Sequence, residues 1–354
     1  KYILQLVDMV ENLIRQGMLS SLQEPQERRG YLHCLLTCIS ELGTSLICSE
    51  ETENPALLQR LSDYNEYWKT DPLQLRVRIM DLVKFILSDP SLSGDPEYIE
   101  VSCLILGKAL DLSDDEPHFL KYSVSEIMQF ILDQVAKTNI SASLPYYVYL
   151  LEKLINQCKG QLTSEDFDFV FEQVFLTTYE QTIISDPDLL QTMINFINSI
   201  LECKPSLLIH SRHWTNFILP EFLKLLSVKE KFTIVAITKF WTKTLNNKKY
   251  TQEDLAATQR QIISIGQDLV SQTMLGLYHT QRSDISSYTD LLRALVAKLP
   301  MQTKAWLINA LPLISDNHMA HEKLINKLSV TRGNRAAGSV ILEWWLECNQ
   351  LPAI

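Results

Sequence analysis

The feature that most constrains the fold is a stripe of apolar residues that recurs every three or four positions. No sustained two-residue alternation and no Asn-Gly or Asp-Gly hairpin signal accompanies it. Gly, which serves turns and phosphate loops, numbers only 10 of 354 residues. The sequence therefore predicts an all-α protein. The stripe is clearest in three places: Ile3, Leu6, Val7, Val10, Leu13 and Ile14; Leu190, Met193, Ile194, Ile197, Ile200 and Leu201; and Val340, Ile341, Trp344, Trp345 and Cys348.

Helix starts have recognisable signals. Three Asp-Pro pairs place an N-cap acceptor before a proline at the first helical position, and they are Asp71-Pro72, Asp95-Pro96 and Asp186-Pro187. Ser123 with Glu126 has capping-box spacing, and Thr251 with Asp254 is an acidic near-match. These signals predict about sixteen helices. They include 71–87, 95–110, 186–203, 212–227, 229–246 and a long helix over 251–278.

Helix pairs recur at roughly forty residues, which is the period of HEAT or armadillo arrays. Helices in such a stack bury their stripes against their neighbours, and no linker rich in Pro, Gly or Ser divides the chain. We therefore predict an α-solenoid, a superhelix of HEAT-type hairpins, as one continuous array over 1–354. A bundle of unrelated helices is the structural alternative. Because Lys1 lies inside a helical pattern, we expect a longer parent protein.

Charge and cysteine usage limit the function classes. The formal net charge is -10, so the basic footprint of a nucleic-acid-binding protein is missing. An acidic surface suits basic protein partners or serves solubility alone. The seven Cys form no CxxC, which predicts reduced, buried thiols in the cytosol or nucleus. No signal peptide and no apolar run of roughly 20 residues is present, so we predict no membrane insertion.

The sequence lacks the motifs of common enzymes. A Walker loop, a GxGxxG after a strand, a GxSxG elbow and an HExxH are absent, so we predict no enzyme, no cofactor and no metal site. His33, Cys34 and Cys38 lie within about one helical turn and offer zinc as an alternative to core packing. His210 and His213 flank Arg212 and are interpreted as ordinary surface or interhelix histidines.

Two further groups leave alternatives open. The acidic run Asp111, Asp114, Asp115 and Glu116 could hold a divalent metal, bind a basic residue of a partner, or be solvated. Four tryptophans at helical spacing could anchor a partner, although packing between helix pairs is the commoner role. They are Trp241, Trp306, Trp344 and Trp345.

Several segments of the second half resemble the transportin-SR and importin-thirteen branch of the importin-β superfamily. The most specific run is Ile265-Gly266-Gln267-Asp268-Leu269-Val270-Ser271-Gln272, which is similar to a Gly-Gln-x-Leu-Val-Ser-Gln run of that branch. Other similar segments are Asp188-Leu189-Leu190, Lys204-Pro205-Ser206-Leu207-Leu208, Lys239-Phe240-Trp241, Ser287-Tyr288-Thr289-Asp290-Leu291-Leu292, Leu299-Pro300 and Thr331-Arg332-Gly333. The first half matches only in its helix pairs and Asp-Pro starts.

The resemblance implies the C-terminal portion of a nuclear transport receptor. Such receptors bind protein cargo, the Ran GTPase in its GTP form and FG-repeat nucleoporins, and they shuttle between cytoplasm and nucleus. It also implies that the helices 212–227 and 251–278 face the concave side. The branch's Arg-rich helix for Arg-Ser-rich cargo is missing from this sequence.

As partner contacts we predict the acidic residues Asp114, Asp115, Glu116, Glu253 and Asp254, with plain solvated charge as the alternative. A HEAT-repeat scaffold subunit of a non-transport complex is the alternative function. An all-α enzyme is the remaining alternative, and a metal-bound or enclosed pocket around the Asp111 loop would favour it.

Overall fold

The computed structural model describes residues 2–15, 25–44, 55–56, 59, 70–89, 92–111, 123–137, 140–158, 160–331 and 333–350. All regular secondary structure in these ranges is helical, so the predicted all-α class is confirmed. The helices form two compact units, residues 1–162 and residues 163–354. Helices stack in series within each unit, as predicted for a helical solenoid. The prediction that a single continuous array covers residues 1–354 stays a prediction.

The first unit consists of helix pairs in two rows. Helix α2 packs on α4 and α4 on α6, while α1 packs on α3. Lys84 of α3 lies over the ring of Phe130 in α5, at 5.6 Å, which places α5 beside α3. Neighbouring helices of the two rows also pack on each other, as expected for helical hairpins. The helices are α1 (Tyr2–Arg15), α2 (Pro25–Thr44), α3 (Leu75–Ser88), α4 (Pro96–Asp111), α5 (Val124–Lys137) and α6 (Ile140–Gln157).

The second unit, described by itself, also consists of helix pairs in two rows and has more helices. Its helices are α7 (Ser164–Val174), α8 (Pro187–Cys203), α9 (Pro205–Ile209), α10 (Leu219–Lys224), α11 (Lys231–Asn246), α12 (Gln252–His279), α13 (Ile285–Lys298), α14 (Pro300–Ala310), α15 (His318–Val330) and α16 (Asn334–Cys348). One row runs α8, α11, α13, α16, and the other runs α9 and α10, α12, α14, α15. In the last pair the order is reversed, because α15 joins the row of α14 and α16 joins the row of α13.

The predicted helix starts are mostly confirmed. Asp186 accepts hydrogen bonds from the N–H groups of Asp188 (3.0 Å) and Leu189 (3.3 Å), with a proline at the first turn of α8. The capping boxes of Thr251 with Asp254 and of Ser123 with Glu126 both form. The prediction for Asp71 was wrong in register, since Asp71 has a left-handed backbone with φ 39° and α3 begins only at Leu75.

The Asp71 carboxylate nevertheless caps α3 after a tight turn. It accepts hydrogen bonds from the N–H groups of Leu75 (2.8 Å) and Arg76 (3.0 Å). The predicted capping group is therefore correct, but the turn that follows Asp71 moves the first helical residue from Pro72 to Leu75, three positions along the chain.

The predicted helix over 212–227 is interrupted. A π-turn occupies Trp214–Ile218, and a 3-10 turn, Leu225–Ser227, follows α10. Pro220 has no N–H to donate in the α-helical pattern, and the preceding N–H, of Leu219, bonds to the carbonyl of Trp214 five residues back. The proline therefore explains why the helix is not regular here.

Three of the four tryptophans singled out in the sequence lie in the core. Trp241, Trp344 and Trp345 are buried, and the Trp241 indole N–H donates to the Phe222 carbonyl at 3.1 Å. Trp306 is partly exposed and packs over Gly266. Packing between helices, the commoner role, is therefore confirmed for the three buried rings.

Replacing Gly338 of α16 by Ala should stabilise the protein by about 0.5–1 kcal/mol, because Gly costs that much in a helix interior. A Cβ at this position would meet only Thr289 Cγ2, at 3.9 Å, which is an ordinary contact. Urea unfolding monitored by circular dichroism measures the change. A midpoint equal to or below that of the wild type would contradict the expected gain.

Candidate functional site

A groove between α1 and α3 combines apolar walls with acidic side chains, and we call it the acidic groove. It has a volume of about 690 Å³ and is lined by Glu11, Ile14, Arg78, Asp81, Leu82 and Phe85. Phe85 is 42% exposed although it is a large apolar residue. A concave surface with apolar walls and a few convergent polar groups is the usual form of a binding site.

The electrostatics of the acidic groove are dominated by carboxylates. Arg78 donates to Glu11 at 2.8 Å and to Asp8 at 2.6 Å, and these hydrogen bonds raise the pKa of its guanidinium above the ordinary value. Asp8 and Glu11 bind the Arg78 guanidinium and Asp81 is a further carboxylate in the lining, so these four side chains carry two formal negative charges in excess. The Arg78 pairs hold α1 and α3 together, while Asp81 and half-exposed Asp8 face solvent.

Of the predicted acidic contacts, only Glu253 and Asp254 fall within the described residues. Asp114, Asp115 and Glu116 lie outside the described residues. Glu253 is exposed in the first turn of α12, as a partner contact requires. Its neighbour Asp254 is fully buried, which argues against the predicted contact with a partner.

Asp254 instead joins three segments of the chain. Its carboxylate accepts hydrogen bonds from Ser206 Oγ (2.8 Å) and the Thr251 N–H (3.0 Å), and lies 3.1 Å from His210 Nε2. Burial raises the pKa of Asp254, but these hydrogen bonds and the nearby His210 outweigh it, so the net pKa is below the ordinary value. The residue is a structural anchor for the start of α12.

The segment from His210 to His213 connects α7 with α12. Ser211 Oγ donates to buried Asp168 of α7, and Arg212 and His213 both bind Glu172. The distance from His213 Nε2 to Glu172 Oε1 is 2.7 Å. The interpretation of His210 and His213 as interhelix histidines is therefore confirmed.

The Gly266-Gln267 run, the most specific part of the resemblance, is a helix-packing device. The ring of Trp306 in α14 occupies the space where a Cβ of Gly266 would lie. Gln267 Nε2 donates to the Trp306 carbonyl at 3.3 Å, and Gln267 Oε1 accepts from Asn309 at 3.1 Å. Gly is required here for close approach of α12 and α14.

The remaining candidate groups are structural or solvent-facing. The His33 ring packs edge-on against Tyr98, with ring centroids 6.3 Å apart. Cys103, Cys158 and Cys348 are buried as predicted, but Cys34 and Cys38 are exposed, so that prediction was wrong for these two. Within the part of the chain that the structure describes, no group of three potential metal ligands occurs and no helix could span a membrane.

Comparison with known families gives a match at the start of the sequence. Residues 1–46 match the model of the importin beta-like KAP122 middle domain. The match covers α1 and α2 and thus one wall of the acidic groove. It supports a relationship to the importin-β superfamily and does not distinguish the branches of that superfamily. A search of curated proteins finds no match.

Sequence reasoning missed the acidic groove. Asp8 and Glu11 are three residues apart and so share one helix face, which was a usable signal. The contribution of α3 could not be predicted from the sequence, because it depends on which helix packs beside α1. Arg78 lies more than sixty residues along the chain from Asp8 and Glu11, the carboxylates that it binds.

Proposed function

We propose that the chain is part of a nuclear transport receptor of the importin and exportin type. The observation that carries the proposal is the match of residues 1–46 to an importin beta-like domain, on a chain whose described helices stack as serial pairs. Such a protein binds without catalysing a reaction. Its partners are protein cargo, the Ran GTPase and FG-repeat nucleoporins, and it shuttles between cytoplasm and nucleus.

The Gly266-Gln267 run favours the transportin-SR and importin-thirteen branch. Its glycine and glutamine fix the contact between α12 and α14, so the run serves the stacking of repeats. We propose the acidic groove as a surface that binds cargo. Two excess negative charges beside Phe85 and Ile14 suit a basic segment with aliphatic or aromatic side chains.

Affinity capture with the full-length protein tests both parts. Immobilised protein is incubated with Ran loaded with GTP or with GDP, in the presence of a fluorescent Lys- and Arg-rich peptide. We expect retention of Ran only in the GTP form, and release of the peptide on Ran binding if the protein is an importer. Recruitment of the peptide by RanGTP would indicate export. Equal retention of Ran and of the peptide with both nucleotides would contradict a transport function and support a HEAT-repeat scaffold.

Charge reversal tests the acidic groove in the same assay. The double variant Asp8→Lys and Asp81→Lys should weaken peptide binding by about tenfold, because it replaces attraction by repulsion at the rim. Binding of RanGTP should not change. The matched control, Glu180→Lys with Asp268→Lys, alters the net charge equally at exposed positions of the second unit. Equal losses in both double variants would indicate a general charge effect and contradict a specific groove.

A further inference from the structure

A second groove, between α13 and α16, has the opposite charge, and we call it the basic groove. Its volume is about 430 Å³, within the range of pockets that hold a ligand. The walls include Ile285 and Leu342, with Arg282 and Arg335 among the lining residues. The two arginines in the lining contrast with the net charge of -10 of the chain.

The two guanidinium groups are available to a ligand. Arg282 and Arg335 are both exposed, and neither has a carboxylate partner within the described ranges. The lining residue Asp290 lies 3.9 Å from Arg293, which offsets its charge. Asp284 is buried beside Lys231, at 3.9 Å. The basic groove therefore has a net positive rim.

Gly338 lies on the α16 wall of the basic groove, where its missing side chain leaves space. The nearest atom to a Cβ built there is Thr289 Cγ2, at 3.9 Å. From Arg335 to Leu342 the α16 wall spans two helical turns, about 10 Å, which matches about three residues of an extended peptide. An apolar side chain of a bound peptide would fit the space beside Gly338. Carboxylates on the neighbouring residues of that peptide would then reach the rim of the groove.

We propose that the basic groove binds an acidic protein segment, in which Asp or Glu residues flank one or two apolar side chains. Charge complementarity selects the flanking carboxylates, since guanidinium groups bind carboxylates with paired hydrogen bonds. The apolar walls and the space at Gly338 hold the central side chain. This surface lies in the second unit, is distinct from the acidic groove, and does not depend on the proposed transport function.

Fluorescence anisotropy with the full chain tests the proposal. The probe is a fluorescein-labelled peptide Glu-Asp-Asp-Leu-Phe-Asp-Glu, and the matched neutral probe is Gln-Asn-Asn-Leu-Phe-Asn-Gln. We expect the acidic probe to bind at least about tenfold more tightly, with an affinity that falls as salt increases. Equal binding of the two probes, or binding of neither, would overturn the proposal.

Two variants separate the groove from general effects. Arg282→Glu with Arg335→Glu should weaken the acidic probe by about tenfold or more, whereas the equal charge change Lys298→Glu with Lys304→Glu, at exposed sites, should not. Gly338→Leu should also weaken binding by about tenfold, because its side chain fills the groove while α16 keeps its geometry. Unchanged binding in Gly338→Leu, or an equal loss in the lysine variant, would count against the basic groove.

Discussion

Gly276→Ala should lower the free energy of unfolding by about 3 kcal/mol, through overpacking and the loss of a buried hydrogen bond. A Cβ on Gly276 of α12 would overlap the carbonyl oxygen of Leu226 and lie 2.6 Å from Tyr288 Oη. These two atoms are themselves partners, since the Tyr288 hydroxyl donates to the Leu226 carbonyl at 2.7 Å. A backbone carbonyl cannot rotate away as a side chain can, so the helices must separate.

Chemical denaturation measures this change, and Gly338→Ala is the matched control. Both substitutions add one methyl group to a helix of the second unit, but only Gly276 faces a backbone atom. The two variants should therefore shift the unfolding midpoint in opposite directions. A Gly276→Ala protein as stable as the wild type would show that α12 and the turn at Leu226 are packed less closely than the structure describes.

The helix starts and the packing of Gly266 show what the sequence can and cannot predict. Helix positions follow from the apolar stripes and caps, because both are local features, and α8 and α12 begin where their capping residues indicate. The reason for Gly266 is not local, since it depends on Trp306 lying across the helix interface forty residues later. The resemblance identified this run as distinctive, but only the packing explains it.

The candidate sites were harder to predict than the fold for the same reason. Each groove lies between helices that are adjacent in a row but separated in sequence, α1 with α3 and α13 with α16. Charged residues on a single helix can be assigned to a face, yet the residue opposite is set by the stacking of repeats. The predicted residue Asp254 failed as a surface contact because Ser206 and His210 cover it.

Asp254→Ala should lower the free energy of unfolding by about 3 kcal/mol, since it removes a helix cap and buried hydrogen bonds to a charged group. Ser206 and the first turn of α12 would lose their common acceptor. The adjacent Glu253→Ala is the control, because Glu253 is exposed and its replacement should change stability by less than about 0.5 kcal/mol. Equal stability of the two variants would show that Asp254 does not anchor the start of α12.

The pH dependence of the Asp254 contribution gives an independent check. The pKa of Asp254 in the folded protein lies below its ordinary value of 3.8, so the unfolded chain binds the proton more readily. The stability that the carboxylate contributes is therefore complete above 3.8 and is lost as the pH falls through the folded-state pKa. The difference in unfolding free energy between wild type and Asp254→Asn should shrink on acidification, because other carboxylates titrate equally in both proteins. A difference that is constant or grows towards low pH would mean that the charge of Asp254 does not stabilise the start of α12.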